Sequence, residues 1–300
     1  MHYFKHKDNS FIITQMSAIL NLELSNKYVT KLIQSEKPFL ITRVGIGAET
    51  WSSAFYKLHK QINPNFLYSL SNNNGIYITN NEDVISWFNQ YIEAIETSTA
   101  LAVWSDAVVN EQAILKPPNI PSLHTRVLEP FYMCSENMIP WSHHLHGKKV
   151  LIVSPFVDSI QKQNESNFKM FSDGRQLFLD DQEFVYYKAY NTSAGNHLHS
   201  SWLETFGIMC NDVAKLDFDV ALLGCGGYGL PFSNFIHKKL NKTAIYVGGG
   251  LQMIFGVMGK RWETSEYWQD MIKVHDPRFI RPSGDEIMKN CNKVENACFW

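Results

Sequence analysis

The sequence predicts an α/β fold: a Rossmann-like, doubly wound, mainly parallel sheet with helices on both faces. Three observations carry that prediction. Short apolar runs alternate with amphipathic stretches along the chain. Gly147 to Phe156, GKKVLIVSPF, has the lysine entry, β-branched centre and Ser-Pro stop of a buried parallel strand. And Phe218 to Leu240, FDVALLGCGGYGLPFSNFIHKKL, gives a buried strand, a glycine loop and a helix in immediate succession.

Taken in order, Ser25 is the expected N-cap of a helix carrying Tyr28, Val29, Leu32 and Ile33, closed by Pro38. A strand over Pro38 to Gly45 follows, passing into a helix from about Thr50. Arg43, Gly45, Gly47 and Glu49 therefore fall at a strand's carboxyl end, where open α/β sheets bind ligands. An asparagine cluster before Gly75 marks a turn, and Asn80 or Asn81 caps a helix whose Val84, Phe88, Tyr91, Ile92 and Ile95 share one face. Ala100 to Trp104 is the next expected strand. Asp106, Asn110 and Glu111 follow it as polar candidates at a strand end, and three prolines make Lys116 to Pro121 irregular. Residues 122 to 146 carry Arg126, Glu129, Trp141 and the pair His143 and His144, whose adjacent positions point to different faces, which is not metal spacing. A helix over Asp158 to Phe171, a strand over Glu183 to Ala189 and a helix around Trp202 to Val213 lead into the glycine-loop strand. Beyond it TAIYVGGGLQMIFGV supplies another strand, a triple glycine and a helix start. With no linker or repeat, residues 1–300 are expected to form one domain, with 1–37 as a helical lead-in and 263–300 as an irregular tail packed on the core.

Composition narrows the function classes. The chain is 45% hydrophobic and 19% charged with net charge −2, which offers no basic excess for nucleic acid. No apolar run approaches the roughly 18 residues of a membrane helix, and the N-terminus lacks a signal-type apolar region, so a soluble cytoplasmic protein is expected. The five cysteines are scattered without a C-x-x-C pair, which predicts reduced, mostly buried thiols.

Gly224, Gly226 and Gly229 have G-x-G-x-x-G spacing, with Gly227 between them and Tyr228 in the loop; Gly248, Gly249 and Gly250 repeat the device one strand later. Such turns let bare backbone N–H groups approach a phosphate, and they also serve steric needs whatever they bind. A dinucleotide site would carry an acidic residue about 20 positions on. Tyr246 and Val247 stand there instead, and no G-K-[ST] follows, which argues against NAD, FAD and a P-loop. What remains is a nucleotide or phosphorylated ligand, with Lys260, Arg261 and Arg281 as nearby cations and Ser154 and Gln252 as further ligand candidates.

The chain from about residue 38 onward, in PWSHHLHGKKVLIVSPF, the two glycine turns and the closing RFIRPSGDEI…VENACFW, resembles bacterial and viral proteins of glycan biosynthesis. These are similar in turn to glycosyltransferases of the GT-D fold, chiefly through PFLITRVGIGAE, which resembles that family's Arg-x-Gly-Asp-Gly-Glu stretch. The resemblance implies an Asp-x-Glu motif working with a divalent metal (Mn2+ or Mg2+) and the diphosphate of a donor. Arg43 and Gly45 match, but Ile46 replaces the Asp and Glu49 falls one position late. Glu49 is thus a weak single metal ligand, a general base, or a local partner of Arg43. The resulting expectation is transfer from a nucleotide-diphosphate sugar, UDP-sugar favoured, to a glycan acceptor, with Glu49, Asp106 or Glu111 as base. The alternatives are a methyltransferase or oxidoreductase of Rossmann type, or a non-catalytic sugar-nucleotide or glycan binder using Trp141, Trp262, Trp268 and Trp300 as a stacking surface.

Overall fold

The computed structural model describes residues 19–135, 137–265, 268–269 and 276–300. Residues 1–18 of the expected lead-in, and 266–267 and 270–275 of the expected tail, lie outside them. The first described helix, α1 (Leu22–Gln34), is capped by Asn21, whose side-chain oxygen accepts from the Leu24 N–H at 2.8 Å. Ser25 was expected in that role. It lies inside the helix instead, fully buried, and bonds the Leu20 carbonyl and the His124 N–H.

Seven strands form one all-parallel sheet: β1 (Leu40–Arg43), β2 (Ala100–Val103), β3 (Ser122–His124), β4 (Val150–Ser154), β5 (Phe184–Lys188), β6 (Val220–Leu223) and β7 (Thr243–Tyr246). Their spatial order is β3-β2-β1-β7-β6-β4-β5. β3 was not legible in the sequence, since three residues are too short for an alternation to register. The register aligns Ile41 with Ile245, Ile245 with Leu222 and Leu222 with Ile152, so the carboxyl ends of the four central strands finish level. These strands are buried on both faces, which explains their uninterrupted apolar runs.

Two apolar layers sandwich the sheet. On one face pack α2 (Ala48–His59), α4 (Asn81–Glu96), α7 (Trp202–Val213) and α8 (Gly229–Leu240); on the other pack α1, α6 (Val157–Glu165) and α9 (Leu251–Ile254). α2 begins at Ala48, two residues before the expected start. Asn80 caps α4 by accepting from the Asp83 N–H at 2.9 Å. α6 ends at Glu165, earlier than its apolar pattern suggested, because Asn167 turns left-handed (φ 56°). Adjacent strands β1 and β7 send their following helices to opposite faces, and so do β6 and β4. Where connections part in this way a crevice opens above the strand ends.

Candidate ligand-binding cleft

That crevice is a cleft of about 710 Å³, within the range of small-ligand sites. It is lined from β1 by Arg43, Gly45, Gly47 and Glu49, from β4 by Ser154, from β6 by Gly224, Gly226 and Tyr228, and from β7 by Gly248 to Gly250. Residues far apart in sequence thus converge as the strand ends predicted. Asp106, Glu111, Gly227, Gly229 and Lys260 are not part of the lining.

The glycines divide by task. A side chain at Gly224 would meet the Gly248 carbonyl at 2.7 Å, so the two turns pack backbone against backbone. Gly227 gives its N–H to the Asn74 carbonyl at 2.9 Å, while its own carbonyl accepts from the buried Trp87 indole at 2.9 Å. Gly229 lies under the Tyr246 ring, and Tyr246 donates its hydroxyl to the Gly226 carbonyl at 3.2 Å. Gly226, left-handed at φ 55°, is the member of this loop that stays open, with only the Asn74 carbonyl near at 3.4 Å. In the second turn each glycine seats a side chain: Arg43 on Gly248, Phe299 on Gly249 and Glu129 on Gly250. The second turn therefore does not repeat the first as a bare loop. Among the described residues the N–H groups of Gly226, Gly248 and Gly249 have no acceptor.

Cations stand beside these turns. Arg43 pairs with Glu129 at 3.4 Å, and Arg126 pairs with the other oxygen of the same carboxylate at 3.4 Å. Both guanidinium groups lie over the Trp104 ring, at 5.5 and 5.9 Å, and its indole N–H is fixed to the Val44 carbonyl at 2.9 Å. Arg43 and Glu129 are deeply set, with side chains 12% and 7% exposed, whereas Arg126 reaches them from the surface. The local Arg43–Glu49 pair, one of the three readings of Glu49, is thus not formed; Arg43 pairs instead with Glu129, 86 residues away, a contact no local pattern marks.

Glu49 sits in the first turn of α2 with its carboxylate folded against Gly45, and one oxygen accepts from the Asn74 side-chain amide at 2.6 Å. Burial pushes this carboxyl above its ordinary range, and the negative charge of Glu295 adds to that. Its own main-chain N–H, Asn74 and Arg43 pull the other way without cancelling it. A carboxylate kept basic at the floor of a cleft is suited to accept a proton. As a metal site the donor set is poor. Glu49 offers one carboxylate already bonded to Asn74, and no group of three His, Cys, Asp or Glu gathers among the described residues.

The far wall is built by the C-terminal segment. Gln252, expected at a ligand, uses its buried amide on the Val257 and Phe299 carbonyls at 3.1 and 3.0 Å, while its residue still borders the cleft. Arg261 pairs with Glu295 at 2.5 Å and stacks on Phe299 at 4.6 Å. Lys260 donates its main-chain N–H to the Trp300 oxygen; Arg281 bonds the same atom at 2.5 Å and pairs with Glu263, and neither residue is part of the lining. Ser154 accepts from the Phe156 N–H at 3.1 Å, a turn contact. Glu286, 5% exposed, accepts from the Asp158 and Ser159 N–H groups at 2.9 and 3.1 Å, filling the N-terminus of α6. The expected tryptophan surface does not form, since Trp141 is fully buried with its indole on the Val127 carbonyl. Trp262, Trp268 and Trp300 border the cleft but are themselves buried. All five cysteines are free, and four of them are buried. Among the described residues no helix is long and apolar enough to cross a membrane. A scan against protein-family models and searches of curated proteins and of solved structures return no match to this chain.

Proposed function

We propose that the cleft takes a nucleotide-diphosphate sugar and transfers its sugar to the hydroxyl of a glycan acceptor, with Glu49 as general base. The observation that supports this most is that Glu49, a carboxylate kept basic by burial, lines the same cleft as Gly226 and the two arginines that share Glu129. In this reaction the acceptor O–H gives its proton to Glu49 as its oxygen bonds the anomeric carbon. The bond from that carbon to the β-phosphate oxygen breaks, and the electron pair leaves with the diphosphate. The charge released there meets the Gly226 N–H and the two guanidinium groups, which are already oriented by Glu129 and Trp104. No step is routed through a metal.

UDP- and GDP-sugars are the donors to test, by calorimetry and by product assay with and without Mn2+. Binding with slow hydrolysis is expected for at least one donor, and a panel that neither binds nor turns over sinks the proposal. Glu49→Ala separates an enzyme, which loses rate, from a binder, which keeps its affinity and has no rate to lose. A large thermal stabilisation by NAD(P)H or S-adenosylmethionine favours the other Rossmann-type chemistries instead.

A further inference from the structure

We propose that the rim formed by Trp51, Ser69 and Asn73 is a subsite for the neutral, hydroxylated part of the acceptor, with Trp51 as its stacking platform. The proposal rests on the sugar-transfer reading and assigns the acceptor to one side of the cleft.

Trp51 is 39% exposed although it lines the cleft, whereas Trp262, Trp268 and Trp300 on the facing wall are all buried. It stands two residues beyond Glu49 on α2 and is braced by Phe66, with ring centroids 6.3 Å apart. Ile46, 52% exposed, continues the apolar rim. An indole left in water beside a polar cleft offers a flat apolar face to the C–H side of a sugar ring. The hydroxyls of such a ring need hydrogen-bonding neighbours. Ser69 and Asn73 supply them from α3 (Leu67–Asn72) and its C-cap, and among the described residues the Ser69 hydroxyl and the Asn73 amide nitrogen donate to no protein acceptor.

Charge divides the cleft in the same sense. Its lining cations are Arg43, Arg126 and Arg261, whereas the lining residues between Ile46 and Asn74 contribute no cation. A diphosphate is drawn to the guanidinium side and a neutral polyol is not. Glu49 and Asn74 lie between the two sides, which puts the base where an acceptor hydroxyl on Trp51 and a donor on the arginines would meet.

The test is binding and needs no turnover. Cellotetraose, chitotetraose and maltotetraose are titrated into the whole chain and followed by saturation-transfer NMR, with UDP titrated separately by calorimetry. At least one oligosaccharide should bind the wild type. Trp51→Ala should weaken it about tenfold, Trp51→Phe should largely keep it, and UDP affinity should stay unchanged in both. Trp51→Leu, which keeps an apolar side chain against Phe66 but has no ring, guards against loss of fold and should behave as the alanine variant. No binding to the wild type, or equal binding to the wild type and Trp51→Leu, overturns the subsite. Failure of every UDP and UDP-sugar test instead sinks the transfer reading, so the two failures are distinguishable.

Discussion

Replacing Gly45 by alanine tests the role of Glu49 without touching Glu49. The backbone at Gly45 lies outside the left-handed region, so an alanine there adds a methyl group and little strain. That methyl would clash with one Glu49 carboxylate oxygen and stand 2.9 Å from its carboxyl carbon. Relief needs a carboxylate displacement of about 1 Å or more to reach ordinary van der Waals contact. A hydrogen bond of 2.6 Å to Asn74 does not survive such a shift. Losing a hydrogen bond to a charged group costs about 1.5–3 kcal/mol, or roughly 10- to 150-fold in rate if it orients the base. The assay is kcat/KM for donor hydrolysis or transfer, with scanning calorimetry alongside to show that the variant is folded at the assay temperature. In a Gly45→Ala, Glu49→Gln double variant the glycine substitution should add nothing further, because both act through one group. Full activity in Gly45→Ala, or fully additive losses in the double variant, would refute the assignment of Glu49.

Four further outcomes are expected. Because Glu49 titrates higher folded than unfolded, the folded state binds more protons between those two values, and its stability falls as pH rises through that window. Glu49→Gln should therefore raise Tm at about pH 7.5 and do so less as the pH is lowered toward about 4, as read by scanning calorimetry. The rate should fall on acidification at a pH above the ordinary carboxylate range, and Asn74→Ala, which removes a contact favouring the anion, should move that limb higher still. Arg43→Ala exposes a buried carboxylate to a missing partner and should cost about 3 kcal/mol in urea unfolding, whereas Arg126→Ala, at a side chain 41% exposed, should cost less than about 1 kcal/mol. Glu286→Ala should cost about 2 kcal/mol by uncapping α6, and should increase proteolysis of residues 276–300.

The strands were legible because a parallel strand buried on both faces is an apolar run whatever its neighbours do: VALL and VLIVS announce themselves. β3 was not, and the cap at Asn21 was passed over for Ser25, because a three-residue strand and a choice between two polar caps are decided by what packs around them. The same boundary runs through the candidate site. Glycine spacing and strand ends brought Arg43, Glu49, Gly226 and Gly248 into view, since chain direction alone sets them at one edge of a parallel sheet. The contacts that Glu129, Asn74 and Phe299 make there were not legible. They reach the site by long-range packing, and no local pattern encodes a contact across 86 residues.

By itself the sequence determined six of the seven strands, their mainly parallel direction and the edge at which the candidate residues gather. Only the tertiary structure decided which glycine stays open and which ones make room for a side chain. It also decided that Arg43 answers to Glu129 and leaves Glu49 to Asn74. The physical reason is that backbone conformation follows from local chemistry, whereas the charge state of a carboxylate follows from everything within a few ångströms of it, and that neighbourhood exists only once the chain has folded.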